Sequence, residues 1–284
     1  MRGLFVLLQY LLPHHLLSRA LGFFGRSRWL KAPLIAGFRR LYGVDLTEAI
    51  SEQASAYESF NAFFTRRLKP EARPLPSEDR IAIVPADGVV SQLGRIDKDR
   101  LLQAKGKWFS TLDLLGGDET LAARYRDGSF ATVYLSPSDY HRVHMPISGE
   151  LLRTVYVPGR LFSVNPTTTA AVSGLFARNE RLICEFETDS GPMVVVLVGA
   201  MIVASIEVAW AGQVTPRRGN RPETRRFDQA PAAVKLATGE ELGLFKLGST
   251  VITLFSAGAI SLDKALVAGA RVRMGQILGE LEPR

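Results

Sequence analysis

From Arg80 to the end of the chain, short runs rich in β-branched residues alternate with turns that contain Gly or Asp. This alternation is typical of antiparallel strands, and only one helix is expected within it, over about residues 119–126. We therefore expect a β-rich domain built as a barrel or a folded sandwich. The predicted strands cover residues 81–84, 89–93, 130–135, 151–157, 182–186, 193–198, 202–210, 250–255 and 271–278.

The first 68 residues lack this alternation of short runs and turns, and their sequence predicts helices. Prolines 70, 74 and 76 end this helical region and form a linker. The chain thus divides into an N-terminal helical region, residues 1–68, and a β-rich domain, residues 69–284, in an α+β fold. The predicted helices cover residues 3–21 with a kink at Pro13, residues 28–42, and residues 46–66, where Asp45 and Glu48 have capping-box spacing.

The N-terminal region is both basic and apolar. Residues 1–44 hold seven Lys and Arg and no acidic residue, within a chain whose net charge is +7. This composition suits an anionic membrane surface, and no nucleic-acid motif follows it. The apolar runs 4–12 and 193–206 are too short to span a bilayer, which takes about 20 residues. We expect amphipathic helices that lie on the membrane.

A Gly-Ser pair inside the apolar run 245–255 indicates a specific chemistry. The Ser249 hydroxyl follows directly after the Gly248 carbonyl, and glycine permits strained angles and close approach. A base that removes the Ser249 proton would let Oγ attack that carbonyl and convert the amide into an ester. Elimination and hydrolysis of the dehydroalanine would leave a pyruvoyl group, an electrophile for amines. A strand with a bulge or bend is the alternative interpretation.

Two further segments hold candidate catalytic residues. Asp87 lies in an Asp-Gly pair between two predicted strands, a pattern typical of a hairpin turn. His141 and His144, two of only four histidines, lie in a polar loop between strands. We expect Asp87 to hydrogen-bond the His144 imidazole, and His144 to act as the base for Ser249. No metal site is expected, because zinc needs three or four ligands and the sequence specifies no such set.

Three intact motifs at residues 85–88, 140–146 and 245–250 resemble those of the bacterial phosphatidylserine decarboxylase family, which is pyruvoyl-dependent. The resemblance extends over nearly the whole chain, through shorter matches at residues 60–64, 103–106, 157–159, 161–165 and 175–181.

The resemblance implies that Asp87, His144 and Ser249 form a self-cleaving triad that cuts between Gly248 and Ser249. Cleavage would yield a β chain, residues 1–248, and an α chain, residues 249–284, which stay associated as a heterodimer. The only cofactor would be the pyruvoyl group derived from Ser249. A higher homo-oligomer is left open.

The resemblance also implies a reaction and a location. The pyruvoyl group would form a Schiff base with the headgroup amine of phosphatidylserine, and loss of CO₂ would give phosphatidylethanolamine. His141 and Ser163 are implied to lie on the substrate side. The enzyme would be a carboxy-lyase of phospholipid biosynthesis, peripheral to the cytoplasmic face of the inner membrane.

Two other functions fit part of the sequence. A serine hydrolase could use the same triad on an external substrate and keep its chain intact, but the Gly-x-Ser-x-Gly nucleophile motif is absent. A non-enzymatic, membrane-docked adaptor is loosely suggested by residues 272–279, which resemble a carrier-domain hairpin. The adaptor function would leave His141 and His144 without a role.

Overall fold

The computed structural model describes residues 2–104, 106–201, 205–215, 217, 219–229, 232–246 and 248–283. Three sequence predictions fall partly outside these residues. Lys105 and Leu247 belong to motifs that carry the family resemblance, and residues 202–204 belong to a predicted strand.

The longest helices lie in the N-terminal region, as predicted, whereas the described part of the β-rich domain has four short helices in place of the single helix expected there. The kink expected at Pro13 is a break between two separate helices. None of the described helices has the length and apolar content needed to cross a membrane. The helices are α1 (Arg2–Leu11), α2 (His14–Gly25), α3 (Lys31–Tyr42), α4 (Phe60–Phe64), α5 (Thr111–Leu114), α6 (Glu119–Ala123), α7 (Pro166–Ala171) and α8 (Leu175–Arg178).

The rest of the described chain is rich in strands, which confirms the α+β fold class. The strands are β1 (Ile81–Ile83), β2 (Gly88–Arg95), β3 (Arg100–Ala104), β4 (Lys107–Ser110), β5 (Ser129–Leu135), β6 (Arg142–His144), β7 (Gly149–Val157), β8 (Arg181–Thr188), β9 (Gly191–Gly199), β10 (Ser205–Val208), β11 (Gly212–Gln213), β12 (Glu223–Arg226), β13 (Lys235–Leu236), β14 (Glu241–Lys246), β15 (Ser249–Phe255), β16 (Ile260–Leu262), β17 (Arg271–Val272) and β18 (Ile277–Leu281).

One large antiparallel sheet, here called the central sheet, organises the domain. Among the described residues its strands run in the order β12-β7-β8-β9-β15-β5-β2-β17, with β13 also paired to β7. A second sheet has the order β11-β10-β14-β6, and a third has the order β1-β18-β16. The described strands thus form open sheets packed together, closer to the predicted sandwich than to a closed barrel.

The core lies on both faces of the central sheet. Strand β15 is buried along its whole length and β9 along all of it except Pro192, which explains their mostly apolar sequences. One apolar cluster, which includes Met145 and Phe245, fills the space towards the second sheet. Another, which includes Phe130 and Phe176, lies under the short helices α5 to α8. A third, centred on Phe63, packs the N-terminal helices α3 and α4 together.

The predicted helix over residues 46–66 is wrong for most of its length. Only α4 is an α-helix there, and it begins at Ser59, whose hydroxyl accepts a hydrogen bond from the Ala62 amide at 3.1 Å. Asp45 and Glu48 do not form a capping box. The Asp45 carboxylate accepts hydrogen bonds from Thr47 instead, and Glu48 pairs with two arginines distant in sequence. Long-range ion pairs therefore replace the local helix.

The hairpin expected around Asp87 is also wrong. β1 pairs with β18 in the third sheet, whereas β2 pairs with β5 and β17 in the central sheet. Gly88 is needed for a different reason, because a Cβ atom there would lie 2.2 Å from the Tyr134 carbonyl oxygen. The Asp-Gly pair marks a close approach between two strands and not a tight turn.

Candidate active site

Several strand ends meet at one edge of the central sheet. β15 begins at Ser249, which pairs with Gly199 at the end of β9 and with Leu135 at the end of β5. On the far side of β5, β2 begins at Gly88, directly after Asp87. Neighbouring strands are about 4.8 Å apart, so Ser249 lies on the order of 10 Å from the start of β2. One side chain could stand between the serine and the aspartate.

Ser249 is fully buried, and its hydroxyl has no hydrogen-bond partner among the described residues. Gly248 has a φ of +25°, a value that favours glycine, and a Cβ atom added there would meet nothing within 4 Å. The peptide bond thus links a glycine with an unusual backbone conformation and free space around it to a serine whose buried hydroxyl makes no hydrogen bond among the described residues. A buried polar atom without a partner is costly, which marks it as a functional candidate.

The Asp87 carboxylate is held by a cation and a backbone amide. Arg73 donates from Nε to Oδ1 at 2.9 Å and also pairs with Oδ2, and the Met274 amide donates to Oδ1 at 2.8 Å. Burial works against the charge of Arg73, but its hydrogen bonds and charge pairing with Asp87 and Glu48 raise its pKa. The Asp87 side chain is therefore held in place as a hydrogen-bond acceptor.

Both ring nitrogens of His144 are occupied. Nδ1 lies 2.8 Å from the Gly239 carbonyl oxygen, and Nε2 lies 3.0 Å from the Tyr140 hydroxyl. A carbonyl can only accept, so the Nδ1 proton is donated to Gly239 and Nε2 accepts from Tyr140. Burial lowers the pKa of His144, against smaller opposing effects from the Gly239 hydrogen bond and nearby carboxylates. The neutral ring thus carries its lone pair on Nε2.

The direct hydrogen bond expected between Asp87 and His144 does not form in this structure. Within the described residues, the carboxylate is taken up by Arg73 and Met274, and the imidazole by Tyr140 and Gly239. The two residues are nonetheless brought together, because the His144 amide donates to the Pro85 carbonyl at 2.8 Å. The fold therefore places Asp87 and His144 near each other without a direct hydrogen bond between their side chains.

His141 is fully buried beside Phe64, with the two ring centroids 4.1 Å apart. Nδ1 lies 2.8 Å from the Asp139 carbonyl oxygen, and Nε2 has no partner among the described residues. Burial lowers the pKa of His141 to about 3, so the ring is neutral at physiological pH. Because Nδ1–H donates to Asp139, Nε2 offers a free lone pair.

Ser163 lies in the loop that precedes α7, on the opposite side of Ser249 from Asp87. Its amide donates to the Gln9 side chain at 2.8 Å. The preceding residue, Phe162, is tied to Gly199 through the side chain of Asn179. Ser163 is therefore connected to the strand next to Ser249, and not to the Asp87 side of the sheet edge.

A cavity of about 280 Å³ adjoins the Asp87 side of this edge. Its lining includes Tyr140 and equal numbers of cationic and anionic side chains, so the charges nearly balance. The buried guanidinium of Arg66 faces the backbone carbonyls of Ser138 and Asp139. The charged lining residues are Asp45, Glu48, Arg66, Arg73, Asp87, Asp139, Arg271 and Arg273.

Sequence reasoning missed Arg73 and the contact made by Tyr140. Arg73 was assigned to a proline-rich linker, and nothing local indicates that it reaches Asp87. Tyr140 belongs to a recognised motif, but its spacing four residues before His144 gave no sign of their hydrogen bond. In the described part of the chain, no group of three or more His, Cys, Asp or Glu residues is arranged to hold a metal ion.

Comparison with known proteins covers almost the whole chain. The family model described as phosphatidylserine decarboxylase matches residues 60–280, and a model described as PSD matches residues 4–43. A phosphatidylserine decarboxylase proenzyme of Ectopseudomonas mendocina is 57% identical over 281 residues, 98% of each chain. One from Pseudomonas putida strain GB-1 is 57% identical over 98% of this chain and 97% of its own length. One from Pseudomonas aeruginosa strain LESB58 is 58% identical, over 97% and 96% respectively.

Proposed function

Because this chain belongs to the phosphatidylserine decarboxylase family, we propose that it cleaves itself between Gly248 and Ser249 and then converts phosphatidylserine to phosphatidylethanolamine and CO₂. The observation that carries this proposal is the buried, unpartnered Ser249 hydroxyl beside an open glycine. It lies at the sheet edge where Asp87 and the histidine motif also converge.

In the first stage, His144 acts as the base and Ser249 as the nucleophile. The neutral His144 ring has its lone pair on Nε2, the atom that would accept the Ser249 proton. Oγ then attacks the Gly248 carbonyl, and the C–N bond breaks as the ester forms. Asp87 stabilises the positive charge that develops on His144, although it is not in direct contact with the ring.

Tyr140 controls access to that lone pair. Its hydroxyl donates to Nε2, so this hydrogen bond must break before His144 accepts a proton from Ser249. Burial raises the pKa of Tyr140, which keeps the phenol protonated and suited to donating. This is a resting arrangement, in which the Tyr140 hydroxyl caps the lone pair of the base, His144 Nε2.

The residues present fit a pyruvoyl group at position 249. The hydroxyl that would be consumed makes no hydrogen bond in the described structure, and the space beside Gly248 accommodates a change in backbone geometry. Such a group supplies an electrophilic carbonyl that binds an amine and withdraws electrons from it. The chain itself provides the buried surroundings of residue 249.

Two sides of the sheet edge serve the substrate. The cavity beside Asp87 has charges of both signs, which suits a headgroup with an ammonium, a phosphate and a carboxylate. His141 is neutral, and its free Nε2 can accept a hydrogen bond from the substrate. Ser163 lies on the other side, next to the N-terminal helices. We assign substrate contacts to His141 and Ser163.

Strand pairing explains how two chains would remain together after cleavage. Residues 249–284 contribute β15, which is paired on both sides by β9 and β5 of the larger chain. β17 pairs with β2, and β18 pairs with β1. The heterodimer of chains 1–248 and 249–284 would therefore be held by strand pairs in two sheets, the central sheet and the third sheet.

The N-terminal helices form a surface suited to a lipid bilayer. Large apolar side chains are exposed along α1, α2 and α3 and in the loop between α2 and α3, among them Leu11, Phe23 and Trp29. An exposed apolar surface of this extent marks an interaction site, and basic residues surround it in the sequence. We propose peripheral attachment to an anionic membrane, at the cytoplasmic face of the inner membrane. The serine hydrolase alternative has no support among the relatives.

The test is CO₂ release from vesicles that contain phosphatidylserine. The wild-type chain should release CO₂ and form phosphatidylethanolamine, whereas Ser249→Ala should do neither. Removing a buried hydroxyl without a partner costs little stability, so the alanine variant should fold normally. Ser261→Ala makes the same change at an exposed site and should keep full activity. An active Ser249→Ala variant would refute the proposal.

A further inference from the structure

Gln9 is the buried polar side chain of an otherwise lipid-facing helix. It is 1% exposed, whereas Leu7, Leu8 and Leu11 on the same helix are exposed. Its Oε1 accepts a hydrogen bond from the Ser163 amide at 2.8 Å, and its Nε2 donates to the Thr168 hydroxyl at 3.2 Å. Burying an amide is costly unless it is hydrogen-bonded, so these contacts fix how α1 lies on the domain.

Aromatic contacts from the same helices hold the neighbouring residue. Tyr10 and His14 pack edge-on against the Phe162 ring, with centroids 4.9 Å and 5.5 Å away. The Arg178 guanidinium lies over both Tyr10 and Phe162. The loop of residues 160–165, here called the substrate loop, is therefore held on its outer side by α1 and α2.

On its inner side, the substrate loop is tied to the start of β15. The fully buried Asn179 side chain accepts from the Phe162 amide at 3.0 Å and donates to the Phe162 carbonyl at 2.9 Å. It also donates to the Gly199 carbonyl at 2.8 Å, and Gly199 pairs directly with Ser249. Hydrogen bonds thus connect α1 to the substrate loop, and the loop to Gly199, the residue that lies opposite Ser249 in the β9–β15 pair.

We propose that Gln9 is a positioning residue that couples the seating of α1 on lipid to the placement of the substrate loop beside residue 249. When α1 lies against both the lipid and the domain, which is here called the seated state, the Gln9 side chain hydrogen-bonds the Ser163 amide and the Thr168 hydroxyl. The substrate loop is then ordered. When α1 lifts away, both groups lose their partner and the loop is free to move. Lipid binding, which favours the seated state, would then raise the rate of decarboxylation. This inference rests on the proposed function.

The first experiment separates positioning from membrane binding. Gln9→Leu keeps α1 apolar, so flotation with vesicles of phosphatidylserine and phosphatidylcholine should match the wild type. Self-cleavage should also be unchanged, because the triad is untouched. The kcat on saturating vesicles should fall about tenfold if the stability cost of leaving the Ser163 amide without its acceptor appears as misplacement of the substrate loop. Gln229→Leu, the same change at an exposed position, should leave all three quantities unaltered.

A second pair of variants tests the same contact from the other partner. Thr168→Val removes the hydroxyl while keeping the side-chain shape, and should lower kcat with KM unchanged. Thr168→Ser keeps the hydroxyl and should restore kcat. A purely structural role for this contact would instead lower thermal stability without this pattern. The pair also tests the proposal if Gln9→Leu does not fold.

Hydrogen exchange gives a readout that does not depend on activity. Adding vesicles should slow amide exchange across residues 160–165 in the wild type but not in Gln9→Leu. The proposal is overturned if Gln9→Leu keeps wild-type kcat, or if vesicles protect the substrate loop equally in both proteins. If the wild type itself releases no CO₂, the proposed function fails, and the exchange experiment still decides whether α1 and the loop are coupled.

Discussion

At the scale of single residues, the site depends on which atoms are left without partners. Ser249 Oγ and His141 Nε2 are buried and unbonded among the described residues, whereas Asp87 and both nitrogens of His144 are fully engaged. In the proposed mechanism, the nucleophile Ser249 and the substrate-side His141 are thus available, and the base His144 is capped by Tyr140. This arrangement suits a site in which self-cleavage occurs once and decarboxylation occurs repeatedly.

The pH dependence of self-cleavage tests the role of His144. Burial lowers its pKa below the ordinary value of 6.5, so the neutral base form persists to lower pH than in a free histidine. The rate at which precursor is cut, followed by gel electrophoresis after refolding, should stay level through pH 6.5 and fall only in more acidic buffer. An unfolding curve at each pH serves as the control for stability. A midpoint above 6.5 would contradict a buried histidine base.

The sequence predicted Ser249, Asp87, His141 and His144 because each lies in a short motif of unusual residue types. It did not predict Arg73, since a lone arginine between prolines looks like a linker residue. Nor did it predict that Tyr140 would occupy the His144 nitrogen. Both contacts depend on side-chain directions in the folded protein, and residue spacing alone carries no information about them.

At the scale of elements, buried strands were the most predictable part. β9 is a continuous apolar run and β15 is rich in β-branched and apolar residues, and the bounds of both strands lie within two residues of those expected. The helix over residues 46–66 failed because Glu48 is used in ion pairs with Arg73 and Arg273, which no local pattern encodes. The hairpin at Asp87 failed because β1 and β2 belong to different sheets.

The segment before β1 should contribute strongly to stability through Arg73. Arg73→Met leaves the Asp87 carboxylate with only the Met274 amide, and breaking a buried ion pair typically costs about 3–5 kcal/mol. Arg273→Met removes an exposed pair with Glu48 and should cost less than about 1 kcal/mol. Urea unfolding of both variants in the Ser249→Ala background measures the difference. Equal losses of unfolding free energy in the two variants would show that the buried Arg73–Asp87 pair contributes no more to stability than the exposed pair.

At the scale of the whole molecule, the helical region and the β-rich domain are joined by polar contacts. The Arg142 guanidinium donates to the Thr65 carbonyl, and Arg66 donates to the carbonyls of Ser138 and Asp139. The histidine motif is therefore built against α4 and its C-terminal end. The division at residues 68 and 69 stays a prediction, but these contacts place both parts around one site.

The exposed apolar surface predicts where the molecule meets lipid. Replacing Leu11, Phe23 and Trp29 together with Ser should weaken flotation with anionic vesicles, because each side chain loses about 1.5–3 kcal/mol of apolar burial. Val267→Ser removes an exposed apolar side chain from residues 249–284, far along the sequence from the N-terminal helices, and should leave flotation unchanged. Lys31 is left intact, since it donates to the Ser55 and Tyr57 carbonyls. Normal flotation of the triple variant would require another membrane-binding surface.

The most direct test of the account is the intact mass of the purified, denatured protein. We predict two fragments, residues 1–248 and 249–284, with the smaller one lighter than a serine-terminated peptide by one ammonia and closed to Edman degradation. Ser249→Ala should give one uncut chain. A single full-length mass for the active wild-type enzyme, or a small fragment that begins with an ordinary serine, would contradict self-cleavage to a pyruvoyl group.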